Sequence, residues 1–494
     1  MKRKKVYEIL LFLLVFLTVL SIIILKPLDD LDEIWNYNFA RNIANGLVPY
    51  RDFNMVITPL LAMFSGLILK ITFNELIVMR ILAAILCSTI IYMVYKIFRM
   101  LDIKKEVAII LVFSIGYWFR DIFCIDYNYL SLLINLIIIY MEIKFYKQND
   151  EFIKSDRKKD FVIGVLAGLS ILTKQTSGIL ISIVVLGNKL VFVRKKEQFK
   201  IYLKSFLYRL IGVMIPTIIF ILYLLINNAF SEFINYTILG ILEFSNKIPY
   251  KTLIELDFIG VLSILVPVAI IYEWIKTICL EKDRKIYFLL VYGIAIFIIC
   301  FPISNKIHFM IGSTPIIIAI FYEIYSLARK IINKINKLKK ISFFVLFMLE
   351  AMLIMLLIYY TSNNLYNYYL TKESFSKLNN FAYIPVSESL QKQINNVDDY
   401  IKKEENVKIL HASAAIYMIP LDKYNKDYDM FNKGNFGREG EKRLIEQISN
   451  SNQIKYLILK DEYRENWQAP IGIINYVKNN KAKIGEVEIF NIYQ

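Results

Sequence analysis

Six clusters of Lys and Arg punctuate the first 360 residues, at 2–5, 96–105, 144–159, 194–204, 276–285 and 329–340, with long apolar runs between them. They hold 29 of the 41 Lys and Arg in that stretch and alternate with connections poor in both. Apolar runs of this length satisfy their backbone inside a bilayer only as helices, and loops rich in Lys and Arg mark the cytoplasmic side. Placing the clusters inside predicts eleven spans, near 6–25, 76–95, 106–119, 128–143, 161–173, 176–193, 205–226, 257–275, 286–302, 309–327 and 341–360. The amino terminus is then cytoplasmic and the carboxyl terminus outside the cell membrane. The weakest span pair is the hairpin over 161–193, whose halves are short for a hydrocarbon core of about 30 Å and meet at Lys174.

Composition agrees. A chain of 494 residues that is 57% apolar, 15% aromatic and 21% charged, with mean hydropathy +0.48, is no soluble globular domain. Its 17 Gly and 11 Pro are too few for low-complexity sequence, and no repeat suggests a solenoid. The four cysteines form no CxxC and support neither a disulfide framework nor a zinc site. A net charge of +16 raises the question of a nucleic-acid partner, but residues 1–360 carry 41 basic against 26 acidic residues and residues 361–494 carry 18 against 17. The excess is the positive-inside pattern, which argues against nucleic acid. The first apolar run is too long for a signal-peptide core and lacks a small-residue cleavage site, so it reads as a retained span.

The first outer loop, residues 26–75, is structured. Between Asp32 and Gly46, Trp35, Phe39, Ala40 and Ile43 recur at helical spacing with Asn38, Arg41, Asn42 and Asn45 opposite, which predicts an amphipathic helix in the outer interface, stopped by Gly46. Residues 59–71 form an apolar segment too short to span. After residue 360 the composition turns polar. Helical patterns at 387–403, 440–449 and 471–479 alternate with strand-like runs at 407–410, 454–459 and 487–493, which predicts one small α/β domain outside the membrane. The fold class expected is therefore a polytopic α-helical membrane protein of about eleven spans with a C-terminal extracytoplasmic α/β domain.

The densest chemical signal is Asp29, Asp30, Asp32 and Glu33, just outside the first span. Asp30 with Glu33 approximates a capping box, and acids favour a helix amino terminus. The alternative is a carboxylate held on a membrane ledge to take a proton from an incoming hydroxyl. Lys174 interrupts an apolar hairpin, where a charge is costly; it is either a phosphate-binding cation or a snorkelling marker of the outer turn. Lys306 and His308 lie on the loop before the tenth span, within reach of a phosphate or sugar. Arg120 and Asp121 read as a local ion pair, and Arg51 with Asp52 as local pairing or donor contacts. Asp126 is a candidate for acceptor hydroxyls or for a shared divalent metal, although two outer acids do not make a metal site.

The run from Asp32, Glu33, Trp35 and Tyr37 through Gly46, Pro49, Tyr50, Arg51 and Asp52 to Thr58, Pro59 and Leu60 resembles the first outer loop of the GT-C glycosyltransferases. The branch is that of the protein mannosyltransferases and aminoarabinose transferases, glycosyltransferase family 39-like. Weaker matches are the segment from Gly168 to Lys174, Gln175 and Thr176, and the one from Pro302 through Lys306 and His308 to Pro315. The resemblance covers residues 1–360. One departure is Ile57-Thr58-Pro59-Leu60, where the aminoarabinose branch has a Lys before Pro-Pro-Leu, so another cation must serve the phosphate.

The resemblance implies a hexosyl- or pentosyltransferase using a polyprenyl-phosphate sugar, by inverting in-line displacement at the anomeric carbon. Asp32 matches the catalytic Asp and Glu33 its neighbour. Lys174, Lys306, His308 and Arg51 are then donor phosphate or sugar candidates, and Asp126 and Asp52 acceptor or metal candidates. The partners implied are the lipid-linked donor, the bilayer and a glycan, protein or lipid acceptor. The competing class is a transporter or flippase of lipid-linked sugars, which would place its polar residues near mid-membrane.

Overall fold

In the computed structural model, residues 2–28, 31–149, 153–243, 248–280, 284–334, 336–404, 406–451, 453–461 and 469–494 are described. Asp29 and Asp30, and with them the expected capping box, lie outside those residues.

The chain opens with α1 (Lys2–Ile24), followed by two helices of the first loop, α2 (Leu31–Ala44) and α3 (Leu60–Ile71). Next come α4 (Leu76–Met100), α5 (Lys105–Phe119), α6 (Tyr127–Asn149), α7 (Arg157–Thr173), α8 (Gln175–Gly187) and α9 (Lys196–Ile226). A short α10 (Phe230–Ile234) precedes α11 (Phe258–Trp274), α12 (Arg284–Phe297), α13 (Lys306–Asn333) and α14 (Asn336–Leu370). A helix lies at each of the eleven expected spans. Eight are long and apolar enough to cross a membrane. The other three, α5, α7 and α12, have 15, 17 and 14 residues, so the count of full-length crossings is lower than eleven. Large apolar side chains stand exposed along α9, α11 and α14, such as Ile219, Leu222, Ile264, Val268, Met355 and Ile358, as a lipid-facing surface requires.

Inside the bundle the helices are held by close backbone approach and by buried polar groups. A Cβ on Gly164 would lie 2.1 Å from the Arg209 carbonyl oxygen, so the Gly164-x-x-x-Gly168 pair lets α7 press onto α9. Beside it, Arg209 donates to both oxygens of Glu142 on α6 (2.7 and 3.2 Å) and to Asp160 on α7 (2.9 Å). Lys189 reaches the same Asp160 at 3.4 Å. Two acids and two bases thus balance in a buried knot. One face of α6 continues as a polar seam: Glu142 accepts from Tyr292 and Asn188, Asn135 donates to the Tyr292 carbonyl, Ser131 bonds Ser177, and Asn128 bonds Lys174.

Beyond α14 lie α15 (Glu388–Lys403), α16 (Ala415–Met418), α17 (Gly440–Ser449) and α18 (Ile471–Asn480). They accompany a sheet of β1 (Val407–Ile409), β2 (Lys455–Leu459), β3 (Lys483–Val487) and β4 (Phe490–Tyr493), in the order β1-β2-β4-β3. β1 and β2 run parallel, with Lys408 opposite Tyr456, and the other pairs are antiparallel. The expected strand over 487–493 is in fact the second arm of a hairpin that turns at Glu488 (φ 48°), without a glycine to announce it.

This domain sits on the first loop. Trp35 Nε1 donates to the Ala412 carbonyl (3.0 Å), Arg41 to Asp422 (2.7 Å), Asn38 to Asp429 (3.4 Å) and Asn54 to the Asn435 carbonyl (2.6 Å). α2 is therefore buried on both faces, from Glu33 to Asn42. That corrects the amphipathic reading: the polar face of α2 is covered by protein. On its other side α2 lies so close to α3 that a Cβ on Gly66 would be 2.7 Å from the Ala40 carbonyl oxygen.

Candidate active site

α2 ends where Gly46 turns to φ +90°, with Gly46 N–H donating to Ile43 and Leu47 N–H to Asn42, the paired bonds of a Schellman stop. At its other end Asp32 and Glu33 occupy the first turn, where acids offset the helix dipole. Their environments differ. Asp32 is exposed, whereas Glu33 is 1% exposed and clamped by Arg80 of α4 at 3.0 and 2.9 Å. Arg80 spends its remaining donors on the carbonyls of Ile24, Lys26 and Pro27, the last residues of the first span and its exit. Glu33, matched to the reacting pair by resemblance, is thus the fixed end of the turn that presents Asp32. Arg80 itself went unread in the sequence, although an arginine within an apolar span is a signal.

α7 and α8 form the expected hairpin, broken at Lys174, which alone is extended (φ −152°, ψ 113°). Ser182 of α8 donates to the Ala167 carbonyl of α7, so the two helices run back along each other. Lys174 Nζ donates to Asn128 Oδ1 (2.7 Å) and lies 5.5 Å from the centre of the Tyr127 ring. Burial pushes its ammonium down to about 8, and the charge of Asp126 pulls the other way. Asp126 is 7% exposed and caps α6, accepting from Asn128 N–H at 2.7 Å. The Tyr127 phenol is within electrostatic reach of both Asp126 and Asp32. His308, bonded to Asn305 at 2.7 Å, and Cys300 are within reach of Lys174.

Asp32, Asp126, Lys174 and His308 therefore gather at one end of the bundle, the end that carries the first loop. Tyr127, Asn128 and Cys300, which the sequence reading did not single out, belong with them. The remaining candidates are engaged elsewhere. Lys306 is paired with Glu255 (3.0 Å) and Asp257 (2.8 Å) at the start of α11. Arg51 and Asp52 bond each other twice at 2.8 Å, and Arg51 holds the Asp52 carboxyl below its usual range. Arg120 and Asp121 pair as expected, at 3.1 Å. Among the described residues no three His, Cys, Asp or Glu side chains are grouped to hold a metal ion.

Solved structures share the overall fold. ArnT from Cupriavidus metallidurans bound to undecaprenyl phosphate superposes over 98% of this chain and 97% of its own, with a TM-score of 0.55 at 12% identity. The chain has the GT-C fold. The archaeal oligosaccharyltransferase AglB from Archaeoglobus fulgidus, in complex with an inhibitory peptide and a dolichol-phosphate, is similar over 92% of this chain and 69% of its own (TM-score 0.50, 13% identity). No protein-family model matches the sequence, and no curated protein matches it. The GT-C likeness extends through the C-terminal domain, beyond the 360 residues that carried the sequence resemblance.

Proposed function

We propose that this protein is a membrane glycosyltransferase that moves a sugar from a polyprenyl-phosphate donor to an acceptor at the outer face of the membrane. The observation that carries the reading is the convergence of an exposed Asp32 with a buried Asp126 and a cationic Lys174 at one end of a GT-C fold. Two solved structures of that fold have polyprenyl or dolichol phosphates bound.

In this reading Asp32 accepts the proton of the acceptor hydroxyl as the oxygen attacks the anomeric carbon. The sugar–phosphate bond breaks on the opposite side, inverting the centre, and the departing phosphate takes its electron pair to Lys174. A phosphate is a stable leaving group, so no acid is required. Lys174 is suited to the task because it stands at the amino-terminal end of α8, whose dipole adds to its charge. Asp126 and Asn128 hold the ammonium in place, and His308 is near enough to contact the sugar or the phosphate. Glu33 and Arg80 position the turn that carries Asp32.

The test is transfer by purified protein in detergent. Polyprenyl-phosphate sugars should serve as donors, and nucleotide sugars without a lipid carrier should not. Transfer from a nucleotide sugar alone, or transport of a lipid-linked sugar without transfer, overturns the reading.

A further inference from the structure

We propose that the ring of Tyr127 is the platform on which the transferred sugar lies, and that it distinguishes a glycosylated lipid phosphate from a bare one. The proposal rests on the glycosyltransferase reading and adds to it the residue that recognises the sugar itself. In that reading the departing phosphate is held at Lys174 and the acceptor proton is taken at Asp32. The bond that breaks and the bond that forms share the anomeric carbon, so the sugar occupies the interval between those two side chains. Tyr127 reaches both ends of it. Lys174 Nζ lies 5.5 Å from the centre of the Tyr127 ring, and the Tyr127 phenol is within electrostatic reach of Asp32.

Three contacts fix the ring. Tyr127 is the first residue of α6, and Asp126 caps that helix by accepting from Asn128 N–H at 2.7 Å. Asn128 bonds the phenol through its side chain and accepts from Lys174 Nζ on Oδ1 (2.7 Å), so one amide keeps ring and ammonium in register. Tyr127 also packs against the apolar cluster that includes Trp35, three residues past Asp32 on α2, and Leu172, two residues before Lys174. Both segments that carry the reacting ends therefore support it, and because Tyr127 is only half-buried, part of the side chain stays open. A sugar matches such a surface, since its hydroxyls form a polar rim around faces of C–H groups that rest on the electron-rich face of an aromatic ring. As the sugar–phosphate bond lengthens, positive charge develops at the anomeric carbon and the ring oxygen, and the same aromatic face favours it. The contact thus tightens from ground state to transition state.

The experiment uses the full-length protein in nanodiscs. Binding is measured for undecaprenyl phosphate, bare and carrying mannose, glucose, galactose or arabinose, and turnover is followed as transfer of radiolabelled sugar from the best-bound donor to a cell-envelope extract. Tyr127→Leu should weaken binding of that donor about 2- to 10-fold, the size of one aromatic contact, and leave binding of bare undecaprenyl phosphate unchanged. Its kcat should fall about 3- to 30-fold, because the lost contact includes the developing cation. Tyr127→Phe, which keeps the ring, should match wild type in both measurements. Unchanged binding of the bare phosphate also shows that Tyr127→Leu is folded. Equal losses for bare and glycosylated lipid mean that Tyr127 acts through Lys174, and overturn the proposal. So does a Tyr127→Phe variant as impaired as Tyr127→Leu, which assigns the effect to the phenol, or a Tyr127→Leu variant that binds and turns over like wild type. If wild-type protein binds none of the glycosylated lipids better than the bare phosphate and transfers sugar from none, the glycosyltransferase reading fails, and the platform with it.

Discussion

Glu33 is buried against Arg80 while Asp32, its neighbour in the same helical turn, is exposed, so the two carboxylates answer differently to the same kind of substitution. Asp32→Asn should leave insertion and thermal stability unchanged and lower transfer by about 10²–10⁴-fold, the usual contribution of a general base. Near-normal turnover in that variant removes Asp32 from the chemistry. Glu33→Gln should act first on stability, because it leaves Arg80 buried without its counter-charge; breaking such a pair costs about 3–5 kcal/mol. A melting temperature in detergent that matches wild type would refute this. Lys174→Ala should raise the KM for a polyprenyl-phosphate donor by about 10- to 100-fold, from about 1.5–3 kcal/mol of charge-assisted bonding, and Lys174→Arg should recover part of it. Because burial holds Lys174 near 8, the ammonium is present below that pH and lost above it, so donor affinity should fall as pH rises through about 8. A KM that is flat from pH 7 to 9 contradicts this.

At the scale of elements, the contact of α2 with residues 412–429 has its own titration. Asp429 is pushed up to about 6 by burial, against the pull of Lys408 and Arg41 and the bonds from Asn425 N–H and Asn38. A carboxyl whose folded value is raised favours folding when protonated. That contribution is complete below its ordinary value of 3.8 and is lost as pH rises through about 6. At about 1.4 kcal/mol per pH unit it amounts to about 3 kcal/mol. The thermal midpoint should therefore drop between pH 4.5 and 7.5, and Asp429→Asn should flatten the slope; an unchanged slope in the variant would contradict the assignment. The same contact explains what the sequence could and could not disclose. Period and stop signal located α2 to within two residues, since Gly46 and the spacing of Trp35, Phe39 and Ile43 are local features. The fate of its polar face was not legible, because Asn38 and Arg41 meet partners nearly four hundred residues away. The ion pairs of Lys306 were not legible for the same reason: its partner acids, Glu255 and Asp257, come from a distant loop. Lys174 was legible because a charge inside an apolar hairpin is anomalous wherever the chain folds.

For the whole molecule, the C-terminal domain and the α1–α4 loop share one end of the bundle, so either both lie outside the cell membrane or neither does. The basic clusters favour the outside. Tyr424, 43% exposed and next to Asn425, offers a reporter. In a cysteine-free background, Tyr424→Cys should react with an impermeant thiol reagent in intact cells. Labelling only after lysis reverses the topology.

The bonds from Trp35 to Ala412 and from Arg41 to Asp422 join residues 377 and 381 positions apart. A ribosome makes the helix bearing Asp32 among the first segments to reach the bilayer and its cover among the last. Throughout synthesis that helix waits with Asn38 and Arg41 unmatched, and only a chain grown past residue 429 can close over it. Nascent or prematurely terminated chains therefore carry α2, and with it the candidate base Asp32, without the domain that covers the helix's polar face.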